Sequence, residues 1–176
     1  MSKETQMSRT ISYLLRHNPE DLIMDKEGWV KVEDLLNKLD IVPELLQTIV
    51  DNNDKKRFSY NEDKTKIRAS QGHSEKLKLD IKFKEVQFPT TYYHGTVFES
   101  VNSIMKHGIK PQNRAYVHLS KDIQTAVNVG GRHGETVIIL EIDGNQMKRD
   151  GLKIYVSENG VILIEHVPPK YIKIKK

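Results

Sequence analysis

The chain has no cysteine. Disulfides and thiolate metal ligands are therefore excluded, and nothing points to an oxidising compartment. It lacks an apolar run long enough to cross a membrane. The opening MSKETQMSRT carries no apolar signal-peptide core, so a cytoplasmic protein is expected. Internal repeats and low-complexity tracts are missing as well. So are the familiar cofactor signatures: there is no G-x-G-x-x-G, no P-loop and no H-E-x-x-H. Without cysteine, the seven histidines form no clear ligand pattern, and no metal is expected.

What remains is 176 residues with 28 basic and 24 acidic side chains, a net charge of +4. Residues 1–88 are balanced, and the whole excess falls in 89–176. This fits a polyanionic partner and equally fits a surface with spare lysines. The length suits one ordinary domain or two small lobes, and the texture of the sequence favours two.

The first stretch reads as three helices and a hairpin. Met7, Ile11, Leu14 and Leu15 recur at helical spacing, and the pattern stops at Asn18-Pro19. Val32, Leu35, Leu36 and Leu39 form a second stripe. Pro43 suits a helix start, with Leu45, Leu46, Ile49 and Val50 behind it. Alternation over Arg57-Phe-Ser-Tyr60 puts Phe58 and Tyr60 on one face and Arg57 and Ser59 on the other. Lys66–Ser70 supplies the partner strand. Three helices and a hairpin describe a winged-helix-like lobe. Residues 75–88 read as a charge-rich linker with strand character.

From Pro89 the chain reads as a mostly antiparallel β lobe. Strand signals fall at Thr91–His94, Tyr116–Leu119, Thr136–Ile142, Lys153–Val156 and Val161–Ile164, the last two joined by Glu158-Asn159-Gly160. Short helices fit around Phe98–Lys106, ended by Gly108, and Asp122–Val129, ended by Gly130-Gly131. The final IKIKK suits a solvated strand edge. The fold class is therefore α+β, with lobes over 1–88 and 89–176; a doubly wound sheet does not fit the irregular order.

Short basic and histidine-containing motifs punctuate both lobes. Arg16-His17 ends the first helix. Basic residues there complement the helix dipole, and a guanidinium beside an imidazole also suits a phosphate. Arg57 and Arg68 lie on the paired strands, where a solvated charge run is the plain explanation. Gln71 and His73, in the QGHS turn, suit a sugar contact or a turn cap. In YHGT, Gly95 lets the backbone approach a ligand, and Thr96 lies near a helix N-terminus, where anions are favoured. VHLS repeats the theme, with His118 at a strand end and Ser120 as a candidate helix cap. Two histidines at equivalent strand-to-helix corners are harder to dismiss than one. VGGRHG places Arg132 and His133 on an exposed, mobile loop.

In this order, S-x-x-L-R-H, K-x-R-F, QGHS, YHGT, G-[IL]-x-P…R…HLS and G-x-R resemble the RNA 2′-phosphotransferase family over nearly the whole chain. The resemblance implies a winged-helix-like lobe followed by a lobe of the ADP-ribosyltransferase fold. It implies a catalytic set of Arg16, His17 and Arg57 from the first lobe and Arg132 from the second. His94, Gly95, Thr96, His118, Leu119 and Ser120 would bind NAD, with Gly108, Ile109 and Arg114 lining that site. Arg68, Gln71 and His73 would touch the substrate. NAD would be consumed as co-substrate, and the partner would be RNA carrying a 2′-phosphate of the kind tRNA splicing leaves. A monomer is expected. Many ADP-ribosyltransferases carry a late catalytic Glu; here that stretch is the apolar Val161–Ile164, against a protein-modifying activity.

Three other readings compete. His94-Gly-Thr96 and His118-Leu-Ser120 both fit H-x-[ST], the mark of NAD-independent two-histidine RNA phosphoesterases, though 24 residues is a short separation for paired repeats. A non-catalytic RNA-binding module would explain the basic residues but not the histidine corners. An ADP-ribosyltransferase that caps nucleic-acid phosphates would share only the first chemical step.

Overall fold

The structure is a computed structural model describing residues 2–132 and 136–175. It is mixed α and β, with small antiparallel sheets and six α-helices among the described residues. The chain divides into two compact units, Met1–Lys82 and Phe83–Lys176.

In the first unit, α1 spans Lys3–Arg16, capped where the Ser2 hydroxyl accepts from the Thr5 amide at 3.2 Å. Its Ile11, Leu14 and Leu15 recur on one side and are buried. Strand β1 (Val30–Lys31) leads into α2 (Val32–Leu39), which stops at Asp40 in left-handed conformation. Helix α3 (Pro43–Asp51) starts at Pro43, as expected from its fixed φ and missing N–H. Strands β2 (Phe58–Tyr60) and β3 (Lys66–Ala69) form the expected hairpin, and β1 joins it in the order β1-β3-β2. Ile11, Leu15, Leu35, Leu46 and Ile67 are wholly buried together in the core. On the hairpin, Phe58, Ile67 and Ala69 face that core. Register places Ser59 opposite Arg68, and the Ser70 amide donates to the Arg57 carbonyl at 2.8 Å. Arg57 and Arg68 thus share the hairpin's other face.

The expected linker is partly structured. A 3-10 turn covers Glu75–Leu77. Strand β4 (Lys84–Glu85) pairs with β8 (Tyr155–Val156), and Phe83 meets Tyr116 edge-on at 5.6 Å. The two compact units divide at 82/83, where these pairings begin.

In the second unit, β5 (Thr91–Val97) runs into α4 (Phe98–His107). Then follow β6 (Val117–Leu119), α5 (Ile123–Gly130), β7 (Val137–Asp143), α6 (Gly144–Arg149), β8, β9 (Ile162–Ile164) and β10 (Ile172–Ile174). Two antiparallel sheets result, β10-β7-β5 and β4-β8-β9-β6. A bridge between Tyr93 and Ser120 ties β5 to β6. Tyr92, Leu140, Ile142, Met147, Ile154 and Ile162 are wholly or almost wholly buried in the core. No described helix is long and apolar enough to cross a membrane.

Glycine places α5. A Cβ on Gly95 would lie 2.0 Å from the Ala126 carbonyl oxygen, and one on Gly130 2.9 Å from the Gly95 carbonyl carbon. The missing side chain of Gly95 thus lets a helix lie on the strand backbone, where the sequence suggested room for a ligand.

Candidate active site

The first unit brings Arg16, His17 and Arg68 together around His73 where α1 ends. His17 is the C-terminal cap of α1, its amide donating to the Tyr13 carbonyl at 2.9 Å. The QGHS turn returns to this point. Its Ser74 amide donates to the Arg16 carbonyl at 2.8 Å, satisfying one of the acceptors a helix end leaves over. The Ser74 hydroxyl lies 2.7 Å from His17 Nδ1. Arg16 and His17 are half-buried.

His73 sits among these basic residues. It is 5% exposed, and its Nε2 is buried without a hydrogen-bond partner among the described residues. Burial first, then the charges of Arg16, Arg68 and His17, push its pKa down to about 3. His73 is therefore neutral at physiological pH, and the guanidiniums of Arg16 and Arg68 beside it carry the charge. Arg68 stacks on Trp29, its guanidinium carbon 4.2 Å from the ring centre, and reaches the Glu27 carbonyl at 3.4 Å. Arg57 immediately precedes β2, its amide bonded to the Asn53 carboxamide oxygen at 3.2 Å. Buried Asn53 also reaches Ser8 of α1 at 3.3 Å. Gln71 is half-buried in the same turn as His73.

A second group forms in the other unit. His94 on β5 donates from Nδ1 to the His118 carbonyl at 3.2 Å. Arg114 Nη1 lies 2.9 Å from His118 Nδ1. A guanidinium can only donate, so His118 Nδ1 accepts. The two histidines are thus held with opposite ring nitrogens protonated. Neighbours crowd the Arg114 guanidinium although the residue is exposed overall; lost water, then the charge of Arg132, lower its pKa. Arg114 and Arg132 are therefore close enough to repel each other. Arg132 follows α5, its amide bonded to the Val129 carbonyl at 3.3 Å. His133 and Gly134 of the expected loop lie outside the described residues.

Other expected positions have evident structural tasks. Thr96 is buried one residue before the α4 cap, and Leu119 is core, paired with Ile162. Gly108 ends α4 at φ 80°, and Ile109 bridges Val167. Ser120 is not the cap of α5. That task belongs to Asp122, whose carboxylate accepts from the Thr125 amide at 2.7 Å, while Ser120 exchanges backbone bonds with Tyr93. Residue-type reasoning gave no role to Ser74, Trp29 or Asn53. For Ser74 the signal was its place beside His73 in QGHS; Trp29 and Asn53 emerge only from contacts. No three His, Asp or Glu side chains gather in a metal-binding group among the described residues.

Guanidiniums and imidazoles fixed by neighbours are the equipment of a protein that handles phosphate. The chain belongs to the RNA 2′-phosphotransferase, Tpt1 / KptA family, whose sequence model matches residues 2–166. This is a family of transferases. A protein of Fusobacterium nucleatum named probable RNA 2′-phosphotransferase is 48% identical over 180 residues, covering 98% of this chain and 99% of its own. One of the same name from Flavobacterium johnsoniae is 50% identical, covering 96% and 95%. A third, from Trichormus variabilis, is 43% identical, covering 97% and 96%.

Proposed function

We propose that the chain removes an internal 2′-phosphate from RNA with NAD as co-substrate. The observation that carries this reading is the basic group of Arg16, His17 and Arg68 around neutral, buried His73, in a chain of this family. The lobes are read as winged-helix-like and ADP-ribosyltransferase-like, and the setting as cytoplasmic tRNA processing by a monomer.

The reaction has two steps. A phosphate oxygen attacks the anomeric carbon of the nicotinamide ribose; the C–N bond breaks and nicotinamide leaves. A phosphate dianion is already nucleophilic, so no carboxylate base is required. The ribose 2″-hydroxyl then attacks phosphorus and gives up its proton to solvent, the bond to the RNA 2′-oxygen breaks, and that oxygen takes a proton. The products are RNA with a 2′-hydroxyl and ADP-ribose 1″,2″-cyclic phosphate. Charge grows on the phosphoryl oxygens in the second step, where fixed donors count most. Arg57 and Arg132 are assigned to those oxygens, Arg16 to holding the 2′-phosphate, and His17 to protonating the leaving 2′-oxygen. Arg68, Gln71 and His73 line the RNA side.

The second group suits NAD. The mutual repulsion of Arg114 and Arg132 is relieved by an anion such as a pyrophosphate. His94 and Thr96 on β5, and His118 on β6 with Ser120 just beyond it, are assigned to the same ligand, while Leu119 and Gly95 set the strand and helix positions, and Gly108 and Ile109 fix the end of α4. The test is incubation of a short RNA bearing one internal 2′-phosphate with and without NAD, followed by mass spectrometry. NAD-dependent loss of phosphate with nicotinamide release is expected. Cleavage without NAD would instead indicate a two-histidine phosphoesterase, and a stable ADP-ribosylated product a capping enzyme.

A further inference from the structure

We propose that Ser74 is a positioning residue for His17: its hydroxyl accepts the Nδ1 proton, so that Nε2 is the nitrogen that gives a proton to the leaving RNA 2′-oxygen. This rests on the reading of His17 as proton donor. Four geometric observations support it. Ser74 Oγ and His17 Nδ1 are 2.7 Å apart, across 57 residues of sequence. Ser74 is only 9% exposed, so this bond is sheltered from competing water. Its own amide holds the Arg16 carbonyl at 2.8 Å, so one residue grips the Arg16-His17 pair through both side chain and backbone. Tyr13, one helical turn back, flanks the His17 ring with centroids 6.0 Å apart, leaving the imidazole held from two directions.

The proton balance favours a hydroxyl in this place. Before transfer His17 is an imidazolium with protons on both nitrogens. Nε2 gives its proton to the 2′-oxygen as the P–O bond breaks. The ring is then neutral with its proton on Nδ1. Ser74 Oγ accepts from Nδ1–H in both states, so the anchor persists through the step. A carboxylate would do the same but would hold the imidazolium and resist the transfer; a hydroxyl orients without adding charge. A fixed tautomer matters because the ring otherwise prefers no single useful orientation for its outer nitrogen.

Ser74→Ala is the natural test, because it removes the hydroxyl and keeps the amide that caps α1. Two readings are made. The first is 15N NMR of His17 in the full chain, without substrate. The wild type is expected to show neutral His17 protonated on Nδ1, and Ser74→Ala to shift it toward Nε2; Ser74→Thr, which restores a hydroxyl, is expected to restore the signature. The second is turnover of 2′-phosphorylated RNA with NAD. Ser74→Ala is expected to release nicotinamide at near the wild-type rate and to accumulate ADP-ribosylated RNA. General acid catalysis contributes about 100- to 10,000-fold, so loosening it should slow the second step on the order of tenfold to a hundredfold. Wild-type His17 protonated on Nε2 alone would overturn the assignment, whatever any variant does. So would a Ser74→Ala enzyme with both steps unchanged, or with both slowed equally and the His17 signature intact. If the wild type removes no 2′-phosphate, the functional reading fails, while the NMR result still judges the hydrogen bond.

Discussion

Arg114 Nη1 lies 2.9 Å from Nδ1 of His118, four residues along the chain. The guanidinium must donate, so the imidazole accepts there and turns its N–H outward on Nε2. Arg114→Ala removes both this constraint and a cation. A hydrogen bond to a charged group is worth about 1.5–3 kcal/mol, which is roughly a 10- to 100-fold rise in KM for NAD. Titration of nicotinamide release against NAD reads this directly. An unchanged KM would remove Arg114 from the NAD site.

Arg57 is assigned to charge that develops only in the second step. Arg57→Ala is expected to slow that step about 100- to 1,000-fold, as for other lost oxyanion donors. ADP-ribosylated RNA should accumulate on gels while nicotinamide is still released. Wild-type turnover without the intermediate would contradict the assignment.

His73 links the basic group to acid stability. Its folded pKa, about 3, lies below its ordinary 6.5. The unfolded chain therefore binds a proton first as pH falls, and stability is lost from pH 6.5 down toward 3. The loss is on the order of a few kcal/mol across that window. Urea unfolding at intervals of pH should show a steeper fall for the wild type than for His73→Gln. Parallel curves between pH 6.5 and 4 would mean that His73 is not held neutral by folding.

Gly95 tests whether the glycine of YHGT serves packing. A Cβ there would collide with the Ala126 carbonyl at 2.0 Å, a backbone atom that cannot swing aside. Overpacking of this kind typically costs about 1–3 kcal/mol and occasionally more. Gly95→Ala should lower the melting temperature by several degrees or prevent folding. A variant as stable as wild type would return Gly95 to a ligand-approach role.

Much of the frame was legible from periodicity. The stripes of α1, α2 and α3, the Phe58/Arg57 alternation and the β8–β9 hairpin around Asn159-Gly160 all depend on local patterns, and these appear where expected. The elements that escaped are held by partners distant in sequence. Strand β1 is two residues paired to β3. Helix α6 looks polar in sequence and is set by the Asp143 cap and by Gly144, whose Cβ would strike the Thr90 carbonyl at 2.3 Å. For the site, residue types named Arg16, His17, His94 and His118, but could not show what fixes each of them. Ser74 is 57 residues from His17, and Arg114 had no visible tie to His118. The cap of α5 was misplaced at Ser120 because Ser and Asp are both good caps, and only the Tyr93 bridge decides between them.

The most direct measurement follows phosphorus. An RNA carrying one internal 2′-phosphate labelled with 32P is incubated with the enzyme and NAD, and the labelled species are separated. The label is expected to pass from RNA, through ADP-ribosylated RNA, into ADP-ribose 1″,2″-cyclic phosphate, and to stay on RNA when NAD is withheld. Label released as inorganic phosphate, or lost from RNA without NAD, would contradict the phosphotransfer mechanism at its centre.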